Sequence, residues 1–307
     1  MSSSSPELVS VPSHVLAIFG PTASGKTAVA EALAKCIPAE IVSADSMQIY
    51  RGLPILTNQS PARVAAVWPL EHEASVGEYQ QLAHAVIDEI LAAGRTPVVV
   101  GGTGLYLRAA LADLQLPPAP DPGARARWEE LYDAAGAGRA HAQLAELDPE
   151  AAAAVHPNDR RRVVRALELA GRPRERDRLW TDETRHPTIV FGLDVPKEDL
   201  DRRIDERTRA MFRAGVREEV KQALAGTISS TARYAHGLDE IAENADDEAA
   251  IEVLAARTRR YAAYQRKWMR RIPGLVSLPA NRPPGETADA ILEVARARQR
   301  LPAGRAG

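Results

Sequence analysis

Short apolar runs and amphipathic stretches alternate through the first third of the chain. Val15–Phe19 ("VLAIF") is continuously apolar and short, as expected of a strand buried on both faces. Residues 39–46 ("AEIVSADS") predict a second strand ending at a polar tip, and residues 96–104 ("TPVVVGGTG") a third. Between them, "YQQLAHAVIDEILAAG" has the period of a crossover helix. β-Branched runs such as Val98, Val99 and Val100 suit a parallel sheet with helices on both sides. In such a sheet ligands gather beyond the carboxyl ends of the strands. The turn after Phe19, Asp45 and the residues 101–103 are therefore expected at one edge.

The pattern then breaks. "DLQLPPAPDPGAR" is Pro-rich, and residues 125–179 read as helices with no β-run. "TIVFGLDVP" (188–196) resembles a returning strand, residues 197–271 are mainly helical, and "LVSL" (275–278) predicts a last short strand. The expectation is an α/β fold: a P-loop-type parallel sheet core in two segments, 9–112 and 185–281, with a small helical domain inserted at 113–184. "MSSSSPEL" and "LPAGRAG" read as frayed ends.

Composition narrows this picture without redirecting it. A chain of 307 residues with 45% hydrophobic and 26% charged residues is an ordinary globular protein of about two domains. The net charge of -2 offers no global attraction to nucleic acid, so any such binding needs local patches. One cysteine excludes an internal disulfide, the seven histidines form no zinc-ligand spacing, and Cys36 is expected as a small buried residue. The start has no basic leader with an apolar core, and no stretch nears the roughly 18 apolar residues of a membrane span. A cytoplasmic, monomeric protein without membrane contact is expected.

The first chemical signal is "GPTASGKT": Gly20, Pro21, Thr22, Ala23, Ser24, Gly25, Lys26 and Thr27. It fits the P-loop pattern between a strand and a helix. Glycines let successive N–H groups converge on one spot, and the helix adds the positive end of its dipole. Lys26 supplies a mobile point charge, and Thr27 a hydroxyl suited to magnesium. The loop predicts a di- or triphosphate ligand and does not say which.

Asp45 ends a strand beside that loop, as a magnesium ligand, a base, or a purely local turn carboxylate. Thr103, in "GGTGLYL", either orients a neighbour or caps the next helix. In "DRRIDERTRAMFRAGVREEV", Arg203 and Arg207 lie one turn apart on one helix face, within reach of a pyrophosphate. Two basic clusters stand out. Residues 160–178 hold eight arginines against three acids; residues 257–271 hold seven basic residues and no acid, interleaved with Tyr261, Tyr264 and Trp268. Arginines with aromatics suit phosphate contacts and base stacking on RNA, the alternative being a solvated helix face.

Together these blocks resemble a family, the tRNA dimethylallyltransferases, also called tRNA isopentenyltransferases. "GPTASGKT", "SADSMQIYRGL", "VGGTGLYLRAAL", "DPEAAAAVHPNDRRRVVRALEL", "RIDERTRAMFRAGVREEV" and "TRRYAAYQRKWMRR" stand in the family's order across residues 15–271. The resemblance implies transfer of a dimethylallyl group from dimethylallyl diphosphate to the exocyclic amine of the adenine 3′ to the anticodon, with diphosphate released. It implies that residues 20–27 hold the donor's diphosphate with Mg2+ at Thr27. It further implies that Asp45 is the general base, that Thr103 orients it, and that Arg207 clamps the leaving group. Asp45, Ser46, Met47, Gln48, Thr103, Arg125, Arg161, Arg162 and Arg165 would contact the tRNA anticodon stem-loop. The chain departs from the family's pattern over residues 54–75, at Gly237–Leu238, and at "AAYQ" (262–265).

Overall fold

A computed structural model of the chain describes residues 14–116, 123–172, 179 and 181–300. Five strands, β1 (Val15–Phe19), β2 (Ala39–Ser43), β3 (Thr96–Gly101), β4 (Thr188–Asp194) and β5 (Val276–Pro279), form one parallel sheet in the order β2-β3-β1-β4-β5. The register sets Leu16 of β1 beside Val98 of β3 and Ile189 of β4. Helices α1 (Lys26–Cys36), α2 (Val76–Ala92) and α3 (Gly104–Leu111) connect or follow the first three strands. After β4 come α8 (Lys197–Arg213), α9 (Val216–Ala225), α10 (Leu238–Glu243) and α11 (Asp247–Met269), and after β5 α12 (Pro284–Arg300).

The continuous apolar runs are explained by burial on both faces. Leu16, Ile18, Val98, Val100 and Phe191 join one core with Val29, Ala30 and Leu33 of α1 and Ala288, Ile291 and Leu292 of α12. The alternate residues Ala17, Phe19, Val42 and Val99 are equally buried, on the side packed by α2 and α3. Connections leave β1 and β3 in opposite directions, which opens a crevice between their carboxyl ends.

Several expectations are corrected. The second strand stops at Ser43, and the third stops at Gly101, where α3 takes over at Gly104. The core runs past residue 281, because α12 buries its apolar stripe against α1. Cys36 is exposed: α1 ends there, and Ile37 takes the buried position instead.

The chain divides at Leu114/Gln115 and at Arg178/Leu179 into two compact units. The α/β unit keeps Asp113 and Leu114, and also Leu179 and Glu183, which the sequence had placed in the insert. The buried Arg108 of α3 holds the last two, donating to the carbonyls of Leu179 at 3.0 Å and Glu183 at 3.1 Å. The second unit holds α4 (Ala124–Ala135), α5 (Ala137–Leu147), α6 (Pro149–Ala154) and α7 (Arg160–Leu169), closed around Ala140, Leu144, Val163 and Leu167. Residues 117–122 of the Pro-rich stretch, the arginines 174, 176 and 178 and both expected frayed ends lie outside the described residues. Among the described residues no helix is long and apolar enough to cross a membrane.

Two of the departing segments meet. Leu53 and Leu56 pack with Leu238, Val216, Val220 and Leu254 in one satellite cluster. The Leu56 methyl sits 2.6 Å from where a Cβ on Gly237 would stand. Glu219 of α9 accepts from the N–H groups of Ile55 and Leu56 at 2.8 and 2.7 Å. Each altered segment is thus packed against the other.

Candidate functional site

A cleft of about 760 Å³ opens at the carboxyl edge of the sheet, lined by Thr22–Thr27, Asp45, Arg203, Arg207, Tyr261 and Gln265 among others. The loop's shape is local chemistry. Gly25 sits at φ 91, in the left-handed region open to glycine, and turns the chain into α1. No side chain caps α1 and no acid lies in its first turn, so its leading N–H groups and dipole are left to an external anion. Gly20 and Pro21 support the loop from behind. Pro21's carbonyl accepts from the Lys26 ammonium at 2.7 Å.

The electrostatics favour an anion here. Burial lowers the Lys26 pKa to about 8, against the opposing pull of Asp45. Burial likewise lowers that of Arg207, whose guanidinium donates to the Thr22 hydroxyl at 2.9 Å. Two desolvated cations facing one cleft gain most when a multivalent anion arrives. Arg203, one turn earlier, donates to the carbonyls of Ala280 and Ser24 and so braces the rim.

Asp45 lies in the turn after β2, one oxygen accepting from the N–H groups of Met47 at 2.9 Å and Gln48 at 3.4 Å. The turn-carboxylate reading is therefore correct for Oδ1, yet the residue also lines the cleft beside the cations. Thr103 occupies the N-cap position of α3 but makes no capping bond. Its hydroxyl lies 3.5 Å from Ser46 Oγ and 3.5 Å from Tyr261 Oη rather than on Asp45.

Other expected residues are already engaged. Gln48 lines the cleft, but its amide donates to the carbonyls of Thr57 and Asn58, and its oxygen accepts from the Ser43 hydroxyl. Met47 packs against the satellite cluster. In the helical unit Arg125 and Arg165 converge on the buried carboxylate of Glu168, each at 2.8 Å. Arg162 is exposed beside Asp159, and Arg161 is exposed on the same helix. Of the group, Arg161 and Arg162 stand outermost. For magnesium, the cleft offers the Thr27 hydroxyl and the Asp45 and Glu206 carboxylates. These are hard oxygen donors of the kind the ion takes along with substrate phosphates. Among the described residues no group of three or more His, Cys, Asp or Glu side chains is placed to hold a metal, so the two carboxylates and the Thr27 hydroxyl would have to share the ion with substrate oxygens.

The sequence reading missed the wall supplied by α11. Gln265 is buried; its oxygen accepts from the Thr22 N–H at 2.7 Å and its amide donates to Gly102 O at 2.8 Å. One turn earlier Tyr261 faces the cleft, its hydroxyl held protonated by burial and by Asp45, with a pKa of about 12. His236 stacks on that ring at 5.5 Å and is itself kept neutral by burial, at about 4. The glycines were the available signal. A Cβ on Gly102 would lie 2.2 Å from Gln265, and one on Gly104 1.9 Å from Trp268.

Comparison with known proteins gives the family. The family model described as IPP transferase matches residues 48–272, and that described as Isopentenyl transferase matches residues 13–62. The tRNA dimethylallyltransferase of Thermobifida fusca is 42% identical over 293 residues, 88% of this chain and 91% of the relative. That of Corynebacterium jeikeium is 39% identical over 286 residues, 87% and 92% of the two chains. Among solved structures, the tRNA isopentenylpyrophosphate transferase of Bacillus halodurans superposes with a TM-score of 0.67 at 30% identity, covering 94% of this chain and 99% of that one. A eukaryotic dimethylallyltransferase solved acting on tRNA shares the fold, with a TM-score of 0.74 at 24% identity over 96% and 82% of the two chains. On a match of this extent and identity, the chain belongs to the tRNA dimethylallyltransferase family.

Proposed function

We propose that the protein transfers a dimethylallyl group from dimethylallyl diphosphate to the exocyclic amine of the adenine 3′ to a tRNA anticodon, releasing diphosphate, in the cytoplasm. The observation that carries this reading is one cleft in which a P-loop with two half-buried, desolvated cations faces the Asp45 carboxylate. The amine lone pair attacks the terminal allylic carbon while the carbon–oxygen bond breaks and its electron pair leaves on the diphosphate. The amine proton passes to Asp45, as a weak nucleophile requires. Lys26, Arg207 and the loop N–H groups face the charge that grows on the leaving group, and that growth is where preorganised donors lower the barrier.

Thr27 would hold a magnesium ion, which when bound neutralises diphosphate charge. Thr103 and Ser46, with Tyr261 behind them, order the acceptor side. Arg161 and Arg162 contact the RNA from the helical unit. Moving the base out of its stack costs a few kcal/mol, least in a loop that is already single-stranded.

The test is direct. Purified protein, magnesium, dimethylallyl diphosphate and an anticodon stem-loop with adenine at the 3′ position should give a prenylated adenosine by mass spectrometry. No product from any adenine-bearing tRNA of the source organism would overturn the reading.

A further inference from the structure

Tyr79 is a buried, titratable side chain to which the mechanism above gives no task. It sits on the first turn of α2, 0% exposed, and its hydroxyl donates to the Ser43 carbonyl at 3.0 Å. Ser43 is the last residue of β2, two before Asp45. The sheet edge explains why that carbonyl needs a donor. Arg63 lies beside Val42 as a parallel bridge: its N–H donates to Ile41 O at 2.8 Å, and its carbonyl accepts from the Ser43 N–H at 2.9 Å. The next bond of a parallel ladder would run from the Ala65 N–H to Ser43 O. It is not made. Val64 turns the chain away at a φ of 64°, and the Ala65 N–H returns to Ala62 O at 3.3 Å. A buried carbonyl without a donor is costly, and the Tyr79 hydroxyl takes the place of the missing ladder bond.

The bond holds the outer side of the chain where β2 runs out into the Asp45 turn. The inner side is held by β3: the Ala44 N–H donates to Val100 O at 2.7 Å, and a Cβ on Gly101 would stand 2.1 Å from Ala44 O. Packing alone asks for no hydroxyl. A phenylalanine would fill the same space against the Tyr106 ring, 4.5 Å away, without burying a polar atom. What the oxygen adds is a fixed point beside the turn. Burial, with Tyr106 and the Asp45 charge behind it, raises the Tyr79 pKa well above the usual range of a phenol, so the hydroxyl keeps its proton and goes on donating. Asp45 Oδ1 accepts from the Met47 N–H within the turn, which leaves Oδ2 for the cleft. Where that oxygen points depends on where the turn begins.

We propose that Tyr79 is a positioning residue for Asp45: by holding the Ser43 carbonyl it fixes the start of the turn and so aims the second carboxylate oxygen into the cleft. This rests on Asp45 as the proton acceptor, proposed above, and deepens that reading. The effect belongs to the transfer step rather than to donor binding, since the groups that face the diphosphate hang from β1 and α8 instead.

The experiment measures single-turnover transfer to an anticodon stem-loop and equilibrium binding of dimethylallyl diphosphate, both on the full chain. Tyr79→Phe removes one oxygen and keeps the ring. It should slow transfer about tenfold to a hundredfold, the effect of a misplaced reacting group, and leave donor affinity unchanged. In the Asp45→Asn background the same change should slow transfer no further, because neighbours that act through one group are not additive. Ile90→Val, a loss of buried packing at the far end of α2, should transfer at the wild-type rate. A wild-type rate in Tyr79→Phe, or equal slowing in both backgrounds, would overturn the proposal while sparing Asp45 as the base. Equal slowing by Ile90→Val, or donor binding lost together with transfer in Tyr79→Phe, would make Tyr79 a scaffold residue and overturn it too. If Asp45→Asn transfers as fast as wild type, the base reading falls and this inference falls with it.

Discussion

Gln265 and Thr22, 243 residues apart, share a hydrogen bond of 2.7 Å that ties α11 to the Gly20–Thr27 loop. The other end of the same side chain holds Gly102, so one buried amide spans the turns after β1 and β3. Gln265→Leu leaves a donor and an acceptor without partners. The expected loss is on the order of 2 kcal/mol in urea unfolding, since each orphaned buried group costs about 1–3 kcal/mol before the turns relax. Diphosphate affinity should fall with it. Unchanged affinity in a destabilised variant would limit Gln265 to a scaffold role.

Asp45→Asn keeps the oxygen that accepts from the Met47 N–H and so preserves the turn. It removes the proton acceptor. Transfer should slow by about two to four orders of magnitude while donor binding stays nearly constant, as single-turnover kinetics beside equilibrium binding would show. An equally active variant would exclude Asp45 as the base.

Lys26 carries a proton-linked prediction with two opposite signs. In the free protein its charge is lost as pH rises through about 8. Donor kcat/KM should therefore decline above that pH, and Lys26→Arg should move the decline upward. Stability should respond the other way. Between about 8 and the ordinary value of 10.5 the unfolded chain binds the proton that the folded chain has released, so the contribution of Lys26 to stability rises with pH across that window. Denaturant midpoints of wild type and Lys26→Ala, compared at pH 7 and pH 10, would read it.

The arginines of the helical unit should separate by role. Glu168 is buried and held by both Arg125 and Arg165. Arg125→Ala should destabilise that unit by about 3–5 kcal/mol, the cost of stranding a buried charge, less what Arg165 still supplies. The Arg162 side chain is 65% exposed and, among the described residues, pairs with Asp159, the N-cap of its own helix. Arg162→Gln should leave thermal unfolding unchanged and lower the salt slope of tRNA binding by about 1. A stability loss at Arg162, or none at Arg125, would reverse the assignment.

Much of the α/β core was legible in the chain because its signals are local. Apolar runs near 15–19, 98–100 and 188–194 marked strands, and the motif from Gly20 to Thr27 marked a tight turn between the first strand and its helix. Asp45 and Thr103 could be placed at the same edge by topology alone, since parallel strands all end there. What the chain could not announce was contact across long separations. That Arg125 and Arg165 are spent on Glu168, that Leu56 packs beside Gly237, and that Gln265 and Tyr261 wall the cleft all depend on which helix face turns inward. Periodicity gives a helix its stripe but not the neighbour that buries it. The cations of α11 show the difference most plainly. Sequence counted seven positive charges, and tertiary structure decided which met acids from other elements and which were left facing water.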